Sequence, residues 1–160
     1  MINLTFGSVL ISHLALIDLA VFVVFGVIHV LSWPSAEPQG QDAAEARNRT
    51  AGTLTAAITG GLTAVGILLP LSLVAIQVVY SSKPSAQAGA VGLNLLVADM
   101  WLALSLIMAL FALWVIWPKA STRNVLYTRL VGVPFGLQLI SLVLGVGRIV
   151  VAVFVLVNAG

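Results

Sequence analysis

The chain has 160 residues, of which 61% are hydrophobic and 8% charged, and its formal net charge is +2. Soluble globular chains carry about 25% charged residues, so this composition, with a mean hydropathy of +1.15, excludes a soluble domain and indicates an integral membrane protein. The basic residues are too few and too scattered for a nucleic-acid-binding face, and we expect no nucleic-acid partner. Because the chain has no cysteine, disulfides, thiolate metal sites and cysteine nucleophiles are excluded.

Four apolar runs are longer than the roughly 18 residues needed to cross the hydrocarbon core of a bilayer. They are Val9 to Trp33, Leu54 to Tyr80, Leu93 to Trp117 and Leu130 to Val157. Backbone groups in lipid must be paired within their own segment, which makes these runs helices. We therefore predict an all-α, four-helix, up-and-down bundle forming a single transmembrane domain over residues 1–160. The first run lacks a basic flank and is longer than the apolar part of a signal peptide, so we expect it to be retained.

The distribution of basic residues predicts the orientation of the bundle. Short cytoplasmic loops are enriched in Lys and Arg. The basic residues between the first two runs and between the last two outnumber those in the middle loop by five to one: they are Arg47, Arg49, Lys119, Arg123 and Arg129 against Lys83. Loops 34–53 and 118–129 are therefore expected in the cytoplasm and both termini outside, in the plasma (inner) membrane.

Within the first loop, Glu45 and Arg49 have the i,i+4 spacing of an ion pair on a helix surface. A short surface helix and a flexible polar linker both fit this segment. Trp-Pro pairs follow the first and third runs, at residues 33–34 and 117–118. Proline ends a helix and tryptophan favours the headgroup level, so both pairs are expected at one membrane surface.

Small residues recur on two of the predicted helices. Thr55, Thr59 and Thr63 repeat every four residues on the second helix, and Gly132 and Gly136 form a G-x-x-x-G pair on the fourth. Small side chains let helix backbones approach closely inside a membrane. We expect them to serve packing within the chain rather than dimerisation. Pro70 is expected to kink the second helix near the bilayer midplane.

Three charged residues lie inside the apolar runs, and they are expected at a similar depth. At about 1.5 Å per residue, Asp18 and Arg148 each lie roughly 14 Å below the surface nearest the termini, and Asp99 lies roughly 9 Å below it. An unpaired charge at such depth costs on the order of 2.5 to 3.5 kcal/mol. We therefore predict a charge cluster that ties helices one, three and four together.

The predicted cluster has two possible interpretations, one structural and one functional. It is either a clamp between helices or an ion or proton site. Two carboxylates and one guanidinium leave one surplus negative charge, which a low dielectric disfavours. His13 is a candidate cation for that surplus, although five residues separate it from Asp18 and point it about 140° away.

His29 and Trp101 are further candidates for a ligand site or proton path. Asp18, Phe22, Phe25 and His29 recur at helical spacing, which fits either a packing seam or a gated proton route. Trp101 lies deeper than aromatic belts usually run, so its indole N–H needs a partner or a cleft.

The sequence contains no recognisable catalytic motif and no cluster with the three or four ligands of a zinc site. We therefore expect a protein that is not an enzyme and carries no metal and no cofactor, an accessory subunit that contacts lipid and other membrane subunits or its own copies. The first alternative is a small ion- or proton-conducting homo-oligomer that uses Asp18, Asp99 and Arg148. The second is a haem or pigment carrier through His13 or His29.

Overall fold

In the computed structural model the chain is a bundle of four α-helices, each long and apolar enough to span a membrane. The described residues are 4–33, 43–81, 86–116 and 129–157. The helices are α1 (Leu4–Ser32), α2 (Ala43–Ser81), α3 (Ala86–Ile116) and α4 (Arg129–Val157). The predicted fold class is therefore confirmed. Most of the predicted loops lie outside the described residues.

The second helix is longer than predicted at its amino end. It begins at Ala43 rather than Leu54, and Arg49 Nη2 pairs with Glu45 Oε1 at 2.5 Å within this extension. The predicted ion-pair spacing thus belongs to a helix, but that helix is continuous with the membrane span. Its 39 residues measure about 58 Å at 1.5 Å each, against a hydrocarbon core of about 30 Å. The extension therefore reaches beyond the membrane. The helix also runs on through Pro70.

The two most closely packed helices are α3 and α4, which form the centre of the bundle. Helix α2 packs mainly against α3 and less against α4, whereas α1 packs mainly against α4. Small side chains keep the centre tight: a Cβ at Gly145 of α4 would lie 2.9 Å from the Leu102 side chain of α3. One buried apolar cluster lies at each end of the bundle, around Ile58 and Val131 at one end and around Leu95 and Ala152 at the other.

The G-x-x-x-G pair of α4 packs within the chain, as predicted. A Cβ at Gly132 would overlap the Trp33 ring, and one at Gly136 would overlap the His29 ring. The two glycines therefore form a shallow seat on α4 for the aromatic end of α1. The threonines of α2 do not behave in this way: Thr55, Thr59 and Thr63 are all exposed. Gly61 of α2, by contrast, is buried, and a Cβ there would overlap the Gln138 side chain of α4. On α2 the intrachain packing therefore involves this glycine and not the three threonines.

Candidate functional site

A buried ion pair joins α1 to α4 in one half of the bundle. Arg148 donates from Nη2 to Asp18 Oδ1 at 2.6 Å and from Nε to Asp18 Oδ2 at 2.8 Å. This two-point geometry suits the planar guanidinium fork, which matches a carboxylate. The side chains of Arg148 and Asp18 are only 10% and 7% exposed. The predicted pairing of these residues, from depth alone, is confirmed.

Helix α3 contributes two polar side chains to the same pair. Trp101 donates from Nε1 to Asp18 Oδ2 at 3.0 Å, and Arg148 donates from Nη1 to Asn94 Oδ1 at 3.3 Å. Asn94 and Trp101 are seven residues apart, so two helical turns place them on one face of α3. The ion pair with these two neighbours, here called the Asp18 clamp, therefore ties α1, α3 and α4 together.

Asn94 was not among the predicted site residues. A usable signal was present, because a primary amide in an apolar run needs partners for its donors and its oxygen. Its Nδ2 donates to the Ala90 carbonyl of its own helix at 2.9 Å, which leaves Oδ1 for Arg148. The predicted need of Trp101 for a partner is met by Asp18.

Asp99 does not join the clamp, which corrects the predicted three-residue cluster. Both of its carboxylate oxygens are enclosed and have no hydrogen-bond partner among the described residues. The reason is rotation: two residues at 100° each turn Asp99 about 200° away from Trp101 around α3. Its carboxylate faces the Ser72 hydroxyl of α2 instead. Similar depth was therefore not sufficient to bring the two acids together.

The two histidines lie in different surroundings. His13 is exposed on α1, and no contact of its side chain with the Asp18 clamp is seen within the described part of the chain. His29 donates from Nε2 to the Gly132 carbonyl of α4 at 2.9 Å, since a carbonyl oxygen can only accept. Its ring also packs against Trp33 and Phe135, with centroids 5.4 and 6.4 Å away. This nitrogen of His29 is thus engaged in helix packing.

Of the residues that recur at helical spacing on α1 (Asp18, Phe22, Phe25 and His29), only some belong to a packing seam. Phe22 packs against Trp101 with ring centroids 5.2 Å apart. A Cβ at Gly26 would lie 3.4 Å from Leu137 of α4. Phe25 is 56% exposed and does not belong to the seam. The face of α1 that meets α4 therefore runs through Gly26, which admits the close approach, and not through Phe25.

A second polar contact, centred on Gln138 of α4, lies ten residues along α4 from Arg148 and was not predicted. The Gln138 side chain is fully buried, and its Nε2 donates to the Ile58 carbonyl of α2 at 3.2 Å. Ser105 of α3 donates to the Gln138 backbone carbonyl at 3.0 Å. These bonds join α2, α3 and α4, so both polar centres of the bundle connect three helices.

The chemistry available at the Asp18 clamp is limited because the charges of Asp18 and Arg148 are paired with each other. Each oxygen of Asp18 accepts from Arg148, and Oδ2 also accepts from Trp101. Two open grooves lie beside α4, of about 340 and 260 Å³, and both are lined almost wholly by aliphatic side chains. Among the described residues no group of three or more His, Asp or Glu side chains could hold a metal ion. The arrangement stabilises the contacts between α1, α3 and α4.

Comparisons of the chain with protein-family models, curated proteins and solved structures find no match.

Proposed function

We propose that the chain is a non-catalytic subunit of a larger membrane assembly, and that the outward face of α2 is its contact with the partner. The bundle supplies a rigid support, held by the Asp18 clamp and the Gln138 contacts. The outward face of α2 supplies a surface on which another helix packs closely. The occupant is a transmembrane helix, either of a second copy or of a different membrane subunit.

The observation that carries this proposal is the composition of the exposed residues of α2 between positions 52 and 66. All of them are small: they are Gly52, Thr53, Thr55, Ala56, Ala57, Thr59, Gly60, Thr63 and Gly66. The buried face of the same stretch carries Leu54, Ile58 and Val65. Small outward residues let a second backbone approach closely, and such approach drives helix association where lipid supplies no hydrophobic force.

Helix α1 provides the contrast. Its exposed residues are mostly large and apolar, including Leu16, Ile17, Val24, Phe25 and Leu31, each more than half exposed. Side chains of this kind are well solvated by lipid tails, which are as apolar as leucine. A small-residue surface gains less from lipid and more from a close neighbour. This difference favours α2 over α1 as the contact helix.

The proposal includes the orientation expected from the basic residues. Both termini would lie outside the plasma (inner) membrane, with loops 34–53 and 118–129 in the cytoplasm. The outward face of α2 precedes Pro70 in the chain, so it would lie in the cytoplasmic half of the bilayer. Reporter fusions at the two termini, active only on one side of the membrane, test this orientation.

Cysteine cross-linking tests the proposed contact, because the native chain has no cysteine. Gly60→Cys places one thiol in the centre of the small-residue face, where a Cβ has nothing within 4 Å. Val74→Cys is the matched control, on the same helix but on its exposed, large-residue part. Oxidation in native membranes, followed by non-reducing gels, detects self-association. A bifunctional thiol-to-amine reagent detects a different subunit.

The expected result is a discrete cross-linked product for Gly60→Cys and none for Val74→Cys. A product at twice the chain mass identifies a second copy, and any other discrete mass identifies a different subunit, which mass spectrometry then sequences. Gly60→Leu should disperse the native assembly on native gels. If the chain runs as a monomer in mild detergent and Gly60→Cys gives no more product than Val74→Cys, the proposal is wrong.

A further inference from the structure

Asp99 is the acid that the Asp18 clamp leaves out, and its position is unusual for a carboxyl group. It lies in the middle of α3, and its two oxygens are enclosed with no hydrogen-bond partner in the described ranges. Neighbouring residues Leu96 and Met100 are 45% and 72% exposed. The carboxyl therefore lies in the seam between α2 and α3, beside a surface that faces lipid.

The Ser72 hydroxyl of α2 faces this carboxyl. Ser72 is only 3% exposed, and its Oγ also lacks a hydrogen-bond partner. Ser72 lines the 260 Å³ groove between α2, α3 and α4, whose other lining residues are Leu, Ile, Val and Ala. Two polar groups therefore face one another in an otherwise aliphatic environment, and neither is satisfied by another part of the described chain.

The charged and titratable side chains that the structure describes on the neighbouring helices are distant from Asp99 or already hydrogen-bonded to other residues. On α2, Arg49 lies 23 residues before Ser72, about 35 Å along the helix. Tyr80 of α2 packs on Gly92 of α3, which is two helical turns from Asp99. On α4, Arg148 is held by Asp18 and Asn94, on the side of α3 about 140° from Asp99. On α3 itself Asp99 is the only charged residue.

We propose that Asp99 and Ser72 form a proton-binding site in the membrane. In this site Asp99 keeps its proton at neutral pH and donates a hydrogen bond to Ser72 Oγ. An ionised carboxylate in such surroundings is costly, and a buried group without a partner cation takes up a proton instead. The proton comes from water, and the carboxylate becomes a neutral carboxylic acid. A metal cation is a poor alternative ligand, because it needs several oxygen ligands and the groove beside Ser72 is otherwise aliphatic.

The site has a chemical signature that Asp18 lacks. A protonated carboxyl in an apolar setting adds to a hydrophobic carbodiimide: the carboxyl oxygen bonds to the central carbon, and the proton moves to one nitrogen. Rearrangement to an N-acylurea then leaves a stable adduct that contains the whole reagent, with no leaving group. Both oxygens of Asp18 already accept hydrogen bonds from Arg148 or Trp101, so we expect Asp18 not to undergo this addition.

The test uses the full chain in lipid nanodiscs, treated with dicyclohexylcarbodiimide at neutral pH. We expect one adduct, mapped by peptide mass spectrometry to Asp99, and a labelling rate that falls as the pH rises. Asp99→Asn should abolish the adduct. Infrared spectroscopy without reagent should show the C=O band of a carboxylic acid that is missing in Asp99→Asn. Ser72→Ala should shift that band to higher frequency, because the hydrogen bond is lost.

Several results would overturn the proposal. Absence of both the adduct and the acid band at neutral pH would mean that Asp99 is ionised, with a cation from lipid, solvent or a partner. Equal labelling of Asp18 and Asp99 would remove the distinction between the two acids. A band unchanged in Ser72→Ala would exclude the proposed pair. This inference does not rest on the proposed function, since the purified chain is sufficient to test it.

Discussion

The two aspartates inside the membrane lie at a similar depth in very different surroundings. Asp18, on the α1 side, receives three hydrogen bonds, two from Arg148 and one from Trp101. Asp99, on the α2 side, faces one serine hydroxyl and has no hydrogen-bond partner in the described parts of the chain. One aspartate therefore forms a buried ion pair on one side of α3. The other, on the opposite side, has no hydrogen-bond partner among the described residues.

The difference shows that the rotation of a helix decides what its polar residues do once their depth is fixed. Residues 94 and 101 of α3 face the clamp, while residue 99 faces α2. Among the described residues, charge attraction between helices is seen on the Asp18 side alone. The comparison predicts that substitutions on that side destabilise the bundle strongly and that substitutions at Asp99 do so weakly.

Arg148→Met should have the largest effect, because it leaves the Asp18 carboxylate buried without its cation. Breaking one partner of a buried pair costs about 3 to 5 kcal/mol. The free energy of unfolding, measured by denaturing detergent titration in mixed micelles, should fall by an amount in this range. The double variant Asp18→Asn with Arg148→Met should lose less than Arg148→Met alone. If the loss of unfolding free energy in the double variant equalled the sum of the losses in the two single variants, Asp18 and Arg148 would not form the buried pair described here.

Gly136→Ala should have the next largest effect, since it removes the seat of α1 on α4. The added Cβ would overlap the His29 ring, which its bond to the Gly132 carbonyl holds in place. Overpacking of this kind costs about 1 to 3 kcal/mol. The same unfolding titration should report the loss.

Gly147→Ala is the matched control on the same helix, because a Cβ there has nothing within 4 Å. It should leave stability unchanged or raise it by up to about 1 kcal/mol through helix propensity. Equal losses for Gly136→Ala and Gly147→Ala would mean that α1 is not seated on these glycines.

Trp101→Phe should have a smaller effect, confined to one hydrogen bond. Phenylalanine keeps a ring for Phe22 to pack against but cannot donate to Asp18. Interhelical hydrogen bonds in membranes are worth about 0.6 kcal/mol on average and about 1.7 at most. Unfolding titration should show a loss within that range. A loss as large as that of Arg148→Met would mean that Trp101 carries more of the clamp than its single bond implies.

The fold could be predicted from the sequence because the bilayer imposes a simple rule. Runs of more than about 18 apolar residues must be helices, and Pro34 and Pro118 predicted the ends of α1 and α3 at Ser32 and Ile116. The amino end of α2 was missed because Glu45 and Arg49 make it polar, although polar residues form helix readily outside the membrane.

The candidate site could be predicted only in part, because depth can be counted along a helix and packing phase cannot. Asp18 and Arg148 were paired correctly from depth. Asp99 lies at a similar depth but about 200° around α3 from Trp101, and the sequence does not show which face of α3 meets α1 and α4. Gln138 was missed because a single amide in an apolar run has no spacing partner in the sequence, and its acceptor is the backbone of Ile58.

Asp99→Asn should have the smallest effect on stability and so gives the most direct test of the comparison. The amide has nearly the shape of the protonated carboxyl and can make the hydrogen bond to Ser72 that we propose for Asp99, so stability should change by less than about 1 kcal/mol, the net worth of a neutral bond. Asp18→Asn is the control, and it should cost several times more because it removes the anion that Arg148 binds. Unfolding titrations of the two variants in one lipid mixture measure the difference. Equal losses of stability in the two variants would show that Asp99 is also paired with a cation, which would contradict the proposed difference between the two aspartates.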